Sequence, residues 1–453
     1  MTLYKKKVQK IIPLISLLLF LTACSTTEHT KIEEKDVAVE WANMTLFITR
    51  YTPSNSPTFA SRAFGYAGLT MYESIVPGYP EYTSMNGQLK EFEALPTIDP
   101  TKEYNWVLSL NAGQSEILKN IYVQTSDENI QKIDSLEQLI FDQFQDGLDK
   151  ETVLRSVAFG KSVANTIFDW SKTDGGHRGY LSNFDKTIVH PVRPGSWKPP
   201  LFAQSFSHHP LHPHWGENRT FATTNELLQD PQPIPYDTTP GSPYYKQFED
   251  VYLKDLQLTQ NEKEVAIWWG DDPDVSFTPP GHSYYFATLA LAGHDSNLIK
   301  SAQVYAQLGM AVSDAFINCW KWKYQFFTER PNTFIPQYID EEWESFWPDP
   351  PFPSFPSGHA IQAAAAATVL EDNFGKKFTF TDKAHEGRKR DELKETDFVN
   401  RSFDTFWEAA QETADSRFYG GIHTQLDNEV GLEKGVEIAK NIAGLEWKKT
   451  NEK

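Results

Sequence analysis

The chain has 453 residues, 23% charged and 40% hydrophobic, with a mean hydropathy of −0.50. It is long enough to bury a large core, and that balance excludes a bundle of membrane spans. The formal charge is −19, and −23 without the first 23 residues, which hold four lysines and no acid. Such a surface repels nucleic acid and anionic lipid head groups, so an anionic ligand would need a local basic pocket.

Lys5, Lys6, Lys7 and Lys10 precede an apolar run over 11–21 that is too short to cross a bilayer. Thr22-Ala23-Cys24 follows, which predicts a signal peptide over 1–23. Leu21-Thr22-Ala23-Cys24 resembles a bacterial lipobox. That resemblance implies lipidation of Cys24 and an exported protein at the cell envelope, periplasmic or on the outer surface, held by the lipid anchor alone. Cys319 is then the one thiol left, and no intramolecular disulfide is expected.

A polar tether is expected over 24–36 and a helical bundle over 37–176. Apolar periodicity begins at Trp41, Met44, Leu46 and Ile48, and it continues over 59–72 with Ala60, Ala63, Ala67 and Gly68 suited to close helix contact. It returns at 105–122, 129–147 and 150–170. Residues 177–250 read as an irregular connection rich in proline and histidine. A second, catalytic bundle is expected over 251–450, with helices at 259–270, 283–293, 297–327, 359–374, 401–415 and 424–447. An extended proline-rich run occupies 348–356. Strand-like alternation is scarce, so the expected fold is all-α, in two helical bundles.

Three blocks in the second half carry chemistry. Lys323 is followed by Arg330-Pro331, Pro356-Ser357-Gly358-His359 opens a helix, and Ser416-Arg417 leads to His423 and Asp427. Lys323, Arg330 and Arg417 offer three positive charges to one small anion, arginine as a planar fork and lysine as a point charge. The helix start at Ser357 and Gly358 adds outward N–H groups, a hydroxyl and a glycine that admits close approach. His423 and Asp427 stand four apart on an expected helix and share its face, so the carboxylate would fix the imidazole's tautomer. His359 is a second imidazole for proton transfer. Each block alone reads as a solvated face or an ordinary cap. All eleven positions together would arise by chance with a probability on the order of 10⁻⁷.

These blocks resemble the signature shared by type 2 phosphatidic acid phosphatases, bacterial acid phosphatases and vanadium-dependent haloperoxidases. The resemblance implies that Lys323, Arg330, Ser357, Gly358 and Arg417 hold the oxygens of phosphate or vanadate. In the phosphatase form, His423 attacks phosphorus, His359 protonates the leaving group and Asp427 orients the nucleophile. In the haloperoxidase form, His423 is the protein ligand to vanadium, and hydrogen peroxide and a halide are the substrates. The chain's length, Trp320, Phe352 and the run Pro350-Pro351-Phe352-Pro353 resemble the haloperoxidase branch. Trp268-Trp269-Gly270-Asp271 resembles a stretch in which an acid pairs with an oxyanion-binding arginine, Asp271 being the candidate and Asp272 the alternate.

Two competing functions follow from the same residues. One is a lipid-anchored acid phosphatase acting on phosphomonoesters through phospho-His423. The other is a non-enzymatic surface lipoprotein, suggested by 13 tryptophans and 14% aromatic residues. The tract His208-His209-Pro210-Leu211-His212-Pro213-His214 lacks helical i, i+4 spacing and acidic co-ligands, so loop packing or adventitious metal is expected of it. His282 reads as a structural histidine.

Overall fold

The computed structural model describes residues 31–449, apart from 93, 94, 201, 202, 205, 206 and 274. The signal peptide expected over 1–23 and the lipidation site Cys24 lie outside the described residues.

Helices dominate. The first group is α1 (Val37–Tyr51), α2 (Pro57–Glu73), α3 (Trp106–Ile121), α4 (Asp127–Phe144) and α5 (Lys150–Ser171). Four of the five start on a side-chain cap, at Ser56, Asn105, Ser126 and Asp149, each accepting a backbone N–H of the first turn. The second group is α6 (Pro243–Asp255), α7 (Gln260–Trp268), α8 (Thr278–Ala292), α9 (Leu298–Phe326), α10 (Pro331–Tyr338) and α11 (Gly358–Phe374). Strands β1 (Phe380–Asp382) and β2 (Arg401–Phe403) form one antiparallel pair, with Phe380 opposite Phe403. Helices α12 (Phe406–Tyr419) and α13 (Gln425–Ala443) complete the order.

The all-α expectation is met, with four local corrections. A helix expected at 401–415 instead starts after Thr405, whose side chain caps α12, and residues 401–403 are the strand β2. Helix α6 begins inside the stretch expected to be irregular. Its Ser242-Pro243 start and the buried face of Tyr244, Phe248 and Val251 are the local signal for it. Helix α10 was not expected because Pro331 and Pro336 mask its pattern, yet Pro331 occupies the first turn, where proline costs no hydrogen bond. Helix α8 starts at Thr278 rather than 283, with Pro279 and Pro280 in that same tolerant position.

Glu33–Lys453 form one compact unit, and helices from both expected bundles share its core. Helix α2 lies along α9 with backbones close together. A Cβ on Gly68 would collide with the Tyr305 carbonyl, and one on Gly309 with the Phe64 carbonyl. Helix α13 packs against α11 in the same way, Gly435 facing the Ile361 carbonyl. The long helix α9, which carries Lys323, also packs on α11, which carries Gly358 and His359, and on α13, which carries Asp427. No helix among the described residues is long and apolar enough to cross a membrane.

Candidate active site

The site is assembled from helix ends. Helix α9 stops where Phe327 turns left-handed (φ 52°), which leaves Lys323 in the last turn and Arg330 as the extended residue before α10. Ser357 is the N-cap of α11, its hydroxyl oxygen accepting the Ala360 N–H, so Gly358 and His359 are the first two helical residues. Arg417 is in the last turn of α12. Gly421 (φ 72°) then reverses the chain, which a side chain would disfavour, and delivers His423 just before Thr424, the N-cap of α13.

His423 and Asp427 are therefore not two positions on one helix face, as their spacing suggested. Asp427 is the third residue of α13, and its carboxylate accepts the Thr424 N–H (3.2 Å) in a capping box while the Thr424 hydroxyl accepts the Asp427 N–H. The same oxygen, Oδ2, accepts from His423 Nδ1 (2.9 Å) and from the Ser354 hydroxyl (2.6 Å). One carboxylate thus starts a helix and sets the histidine's tautomer: Nδ1 carries the proton and Nε2 the lone pair. His423 Nε2 lies 3.5 Å from Arg330 Nη1. Burial, with Arg330 next in size, pushes the His423 pKa down to about 3, so the ring is neutral. Burial alone would raise Asp427, yet its bonds from His423 and Ser354 hold it below the usual carboxylate range.

Lys323, Arg330, Ser357 and Arg417 are fully buried. Lys323 Nζ donates to the carbonyls of Pro353 (2.9 Å) and Ser354 (2.5 Å). Arg330 donates to the carbonyls of Phe352 (2.9 Å) and Ile422 (2.7 Å). The Phe352 ring lies under both cations, 5.2 Å from Lys323 Nζ and 5.3 Å from the Arg330 guanidinium carbon. Arg417 donates Nε to the Ser416 hydroxyl and Nη2 to the Ala266 carbonyl, whereas its Nη1 is buried without a partner. His359 Nε2 is also buried without one, its hydrogen bond being to the Trp269 backbone. Burial and then Arg417 hold His359 well below its ordinary pKa, hence neutral.

Gly358, His359, Arg417 and His423 face one cavity of about 410 Å³. Trp320 and Phe352 line it too, their ring centroids 4.9 Å apart, and Trp320 Nε1 is fixed by the Leu211 carbonyl. Arg417, two unpartnered N–H or ring-nitrogen groups and His423 thus line one small space, while Lys323, Arg330 and Ser357 stand behind its wall, the first two against Phe352. That donor set fits a tetrahedral oxyanion such as vanadate or phosphate, with donors on several sides and an attachment atom on one.

Asp271 lines the cavity but does not pair with an arginine. Its Oδ2 contacts His282 Nδ1 (2.8 Å) and its Oδ1 accepts the Ser276 hydroxyl (2.8 Å). Asp272, the alternate, makes no ion pair either; it accepts from Gln204 (2.9 Å), and its charge acts on Arg417 more strongly than that of Asp271. The pairing expected of Asp271 is thus replaced by a histidine partner, because the left-handed backbone at Asp271 (φ 47°) aims its carboxylate at α8. His282 is buried between Asp271 and Asp382 (2.8 Å each). The histidine tract is dispersed: His212 is buried against Thr58 and the Gly179 carbonyl, and His214 is exposed beside Glu217.

Residues outside the motifs complete the cavity wall. Ser54, Asn55, Ser56 and Pro57, from the turn between α1 and α2, and Asn183, Phe184, Gln204 and Leu211 form its outer part. Ser354 has only the neighbouring Pro-Ser-Gly-His block as a sequence signal.

The VCPO second helical-bundle domain family matches residues 303–451. The vanadium chloroperoxidase of Curvularia inaequalis is 24% identical over 358 residues, 62% of this chain and 58% of that protein. A crystal structure described as the first bacterial vanadium-dependent iodoperoxidase superposes with a TM-score of 0.80 at 28% identity, covering 93% of this chain and 99% of the other. Residues 303–451 are thus similar to the second bundle of the vanadium chloroperoxidases, and the whole fold is similar to that of vanadium haloperoxidases. An apo-type bacterial vanadium-dependent chloroperoxidase has the same fold, with a TM-score of 0.65 at 16% identity over 92% of this chain and 94% of that one. The family match spans Lys323, Arg330, the Ser357–His359 turn, Arg417, His423 and Asp427. The matched region spans 58% of the fungal protein's length.

Proposed function

We propose that the protein is a vanadium-dependent haloperoxidase that oxidises a halide with hydrogen peroxide, its vanadate held by Lys323, Arg330, Ser357, Gly358, Arg417 and His423. The observation that carries this reading is the state of His423: buried, neutral, with Nδ1 committed to Asp427 and Nε2 left as a lone pair beside Arg330. Vanadate, when bound, supplies a Lewis-acidic centre that activates peroxide without changing oxidation state.

The chain's own groups supply the rest. Lys323, Arg330 and Arg417 balance the oxyanion's charge in a water-poor site, where such contacts are strongest. Asp427 keeps the His423 proton on Nδ1 and so keeps Nε2 basic. His359 Nε2, neutral and unpartnered, would accept a proton from peroxide and hold it for return. Trp320 and Phe352 exclude water from one wall. One structural relative is an iodoperoxidase and others are chloroperoxidases, so iodide is the first halide to assay and bromide the second. Export and lipid anchoring through Cys24 belong to the same proposal and rest on residues 1–24. A Cys24→Ser variant released from the membrane fraction would support them, and one retained there would count against them.

The test is to load one preparation with vanadate, then assay iodide and bromide oxidation with peroxide beside hydrolysis of a phosphomonoester without vanadate. Halide oxidation is expected. Phosphomonoester hydrolysis with no halide turnover would transfer the site to an acid phosphatase working through phospho-His423. Neither activity would favour a ligand-binding lipoprotein.

A further inference from the structure

We propose that Asp271, His282 and His385 form a second site, for one divalent first-row metal ion of the zinc type, behind the wall of the oxyanion cavity. The three residues come from the turn after α7, from α8 and from the loop after β1, and all are at least nineteen-twentieths buried. One ligand atom from each lies within 4.8 Å of the others.

The hydrogen-bond inventory requires a cation here. Asp382 Oδ2 accepts from Trp268 Nε1 (2.6 Å) and Asp382 Oδ1 accepts the Ala384 N–H (2.9 Å), which makes this carboxylate an acceptor throughout. His282 Nε2, 2.8 Å from the same Oδ2, therefore carries the ring proton. In a neutral ring Nδ1 is then a lone pair, yet it sits 2.8 Å from Asp271 Oδ2. Two lone pairs at that distance need a positive centre between them, either a second proton or a metal ion.

His385 decides between the two. Its Nε2 is buried and faces Asp271 Oδ1 at 3.4 Å, a long contact without good hydrogen-bond geometry. A proton on His282 would leave this buried nitrogen with that long contact alone, a poorly satisfied group. A metal ion would use all three groups at once. The other His385 nitrogen, Nδ1, faces Arg388 Nη1 at 3.5 Å, on an exposed side chain that can turn to solvent and let Nδ1 carry the proton.

The surroundings match a metal site. Asp382 behind His282 is the carboxylate–histidine–metal arrangement that fixes a ligand's tautomer. Trp269 stacks on His282 (4.7 Å) and Trp268 meets His385 edge-on (4.9 Å), so both rings are held. Asp271 reaches the oxyanion cavity, which supplies an entry path. Two imidazoles and a carboxylate select a borderline ion, with zinc the first to test. The site is distinct from the vanadate shell, shares no residue with it and does not rest on the haloperoxidase reading.

The test uses full-length protein purified without a metal-affinity tag, incubated with zinc and dialysed, with zinc and vanadium measured separately by elemental mass spectrometry. About one zinc per chain is expected, falling about tenfold in His385→Gln and unchanged in His209→Gln. Zinc-edge X-ray absorption on the wild type should show imidazole and oxygen neighbours, which needs no variant to fold. Less than about a tenth of an equivalent in the wild type would overturn the proposal in favour of a doubly protonated His282. Zinc kept in His385→Gln but lost in His209→Gln would overturn it in favour of adventitious binding by the proline–histidine tract.

Discussion

Oxyanion binding should depend on pH through Lys323. Its ammonium is fully buried, and burial, with Arg330 adding to it, brings its pKa down to about 7 despite the opposing influence of Cys319 and Asp427. A multiply charged oxyanion in contact with it would restore the ordinary value of 10.5. The bound state then holds a proton that the free state releases, so binding takes up a proton and affinity falls as pH rises above 7. Between pH 7 and 9 the loss is about fiftyfold, or ~2.3 kcal/mol at ~1.36 kcal/mol per pKa unit. Of the other groups, His423 titrates near 3 and Asp272 near 6, while Asp349, which acts on Arg330, is raised to about 7 and adds to the loss as it ionises. The assay is calorimetric titration with tungstate, which stays deprotonated over the range, in two buffers of different ionisation enthalpy to count protons. Lys323→Arg should flatten the pH dependence by keeping the charge. A wild-type affinity that is level from pH 7 to 9, with no proton uptake, would refute the reasoning.

Three further outcomes follow from particular contacts. A Cβ on Gly358 would meet only Trp320 (3.6 Å) and Cys319 (3.9 Å) at ordinary contact, so Gly358→Ala should change unfolding free energy by less than ~0.5 kcal/mol. The same methyl stands where the oxyanion approaches the helix start, and tungstate affinity should fall at least about tenfold; equal affinity would remove Gly358 from the site. Gly68→Ala should destabilise by about 2 kcal/mol or more in urea unfolding, because the methyl collides with the Tyr305 backbone between α2 and α9. His423 is held at about 3 against an ordinary 6.5, so the unfolded chain takes up its proton first and stability is lost as pH falls from 6.5 toward 3. That loss is about 3 kcal/mol at pH 4, and His423→Gln should lack it; equal acid sensitivity in both proteins would show that another group is responsible.

Much of the site was legible because its residues are tied to helix ends, and helix ends have sequence signs. Pro356-Ser357-Gly358 marks the start of α11, and Arg417, Gly421 and Thr424 bracket the turn between α12 and α13. The geometry of His423 and Asp427 was less legible: four residues apart suits a helix face, and the capping box that brings them together depends on where α13 begins. Asp271 shows the limit of a local motif. Its partner is chosen by the left-handed backbone at that residue and by His282 and Asp382, which are distant in the chain. The cavity's outer wall at residues 54–57 and at Asn183, Phe184, Gln204 and Leu211 carries no motif, since tertiary contact alone brings it to the site. Helix α10 was hidden by two prolines, Pro331 permitted in the first turn and Pro336 inside the helix.

The most direct test of the account is peroxide-dependent iodide oxidation by wild type and His423→Ala, each incubated with vanadate and with vanadium content measured. Vanadate-dependent turnover is expected in the wild type, with a loss of at least about a thousandfold in the variant. Turnover that persists in His423→Ala, or a wild type that binds vanadate and oxidises no halide, would contradict it.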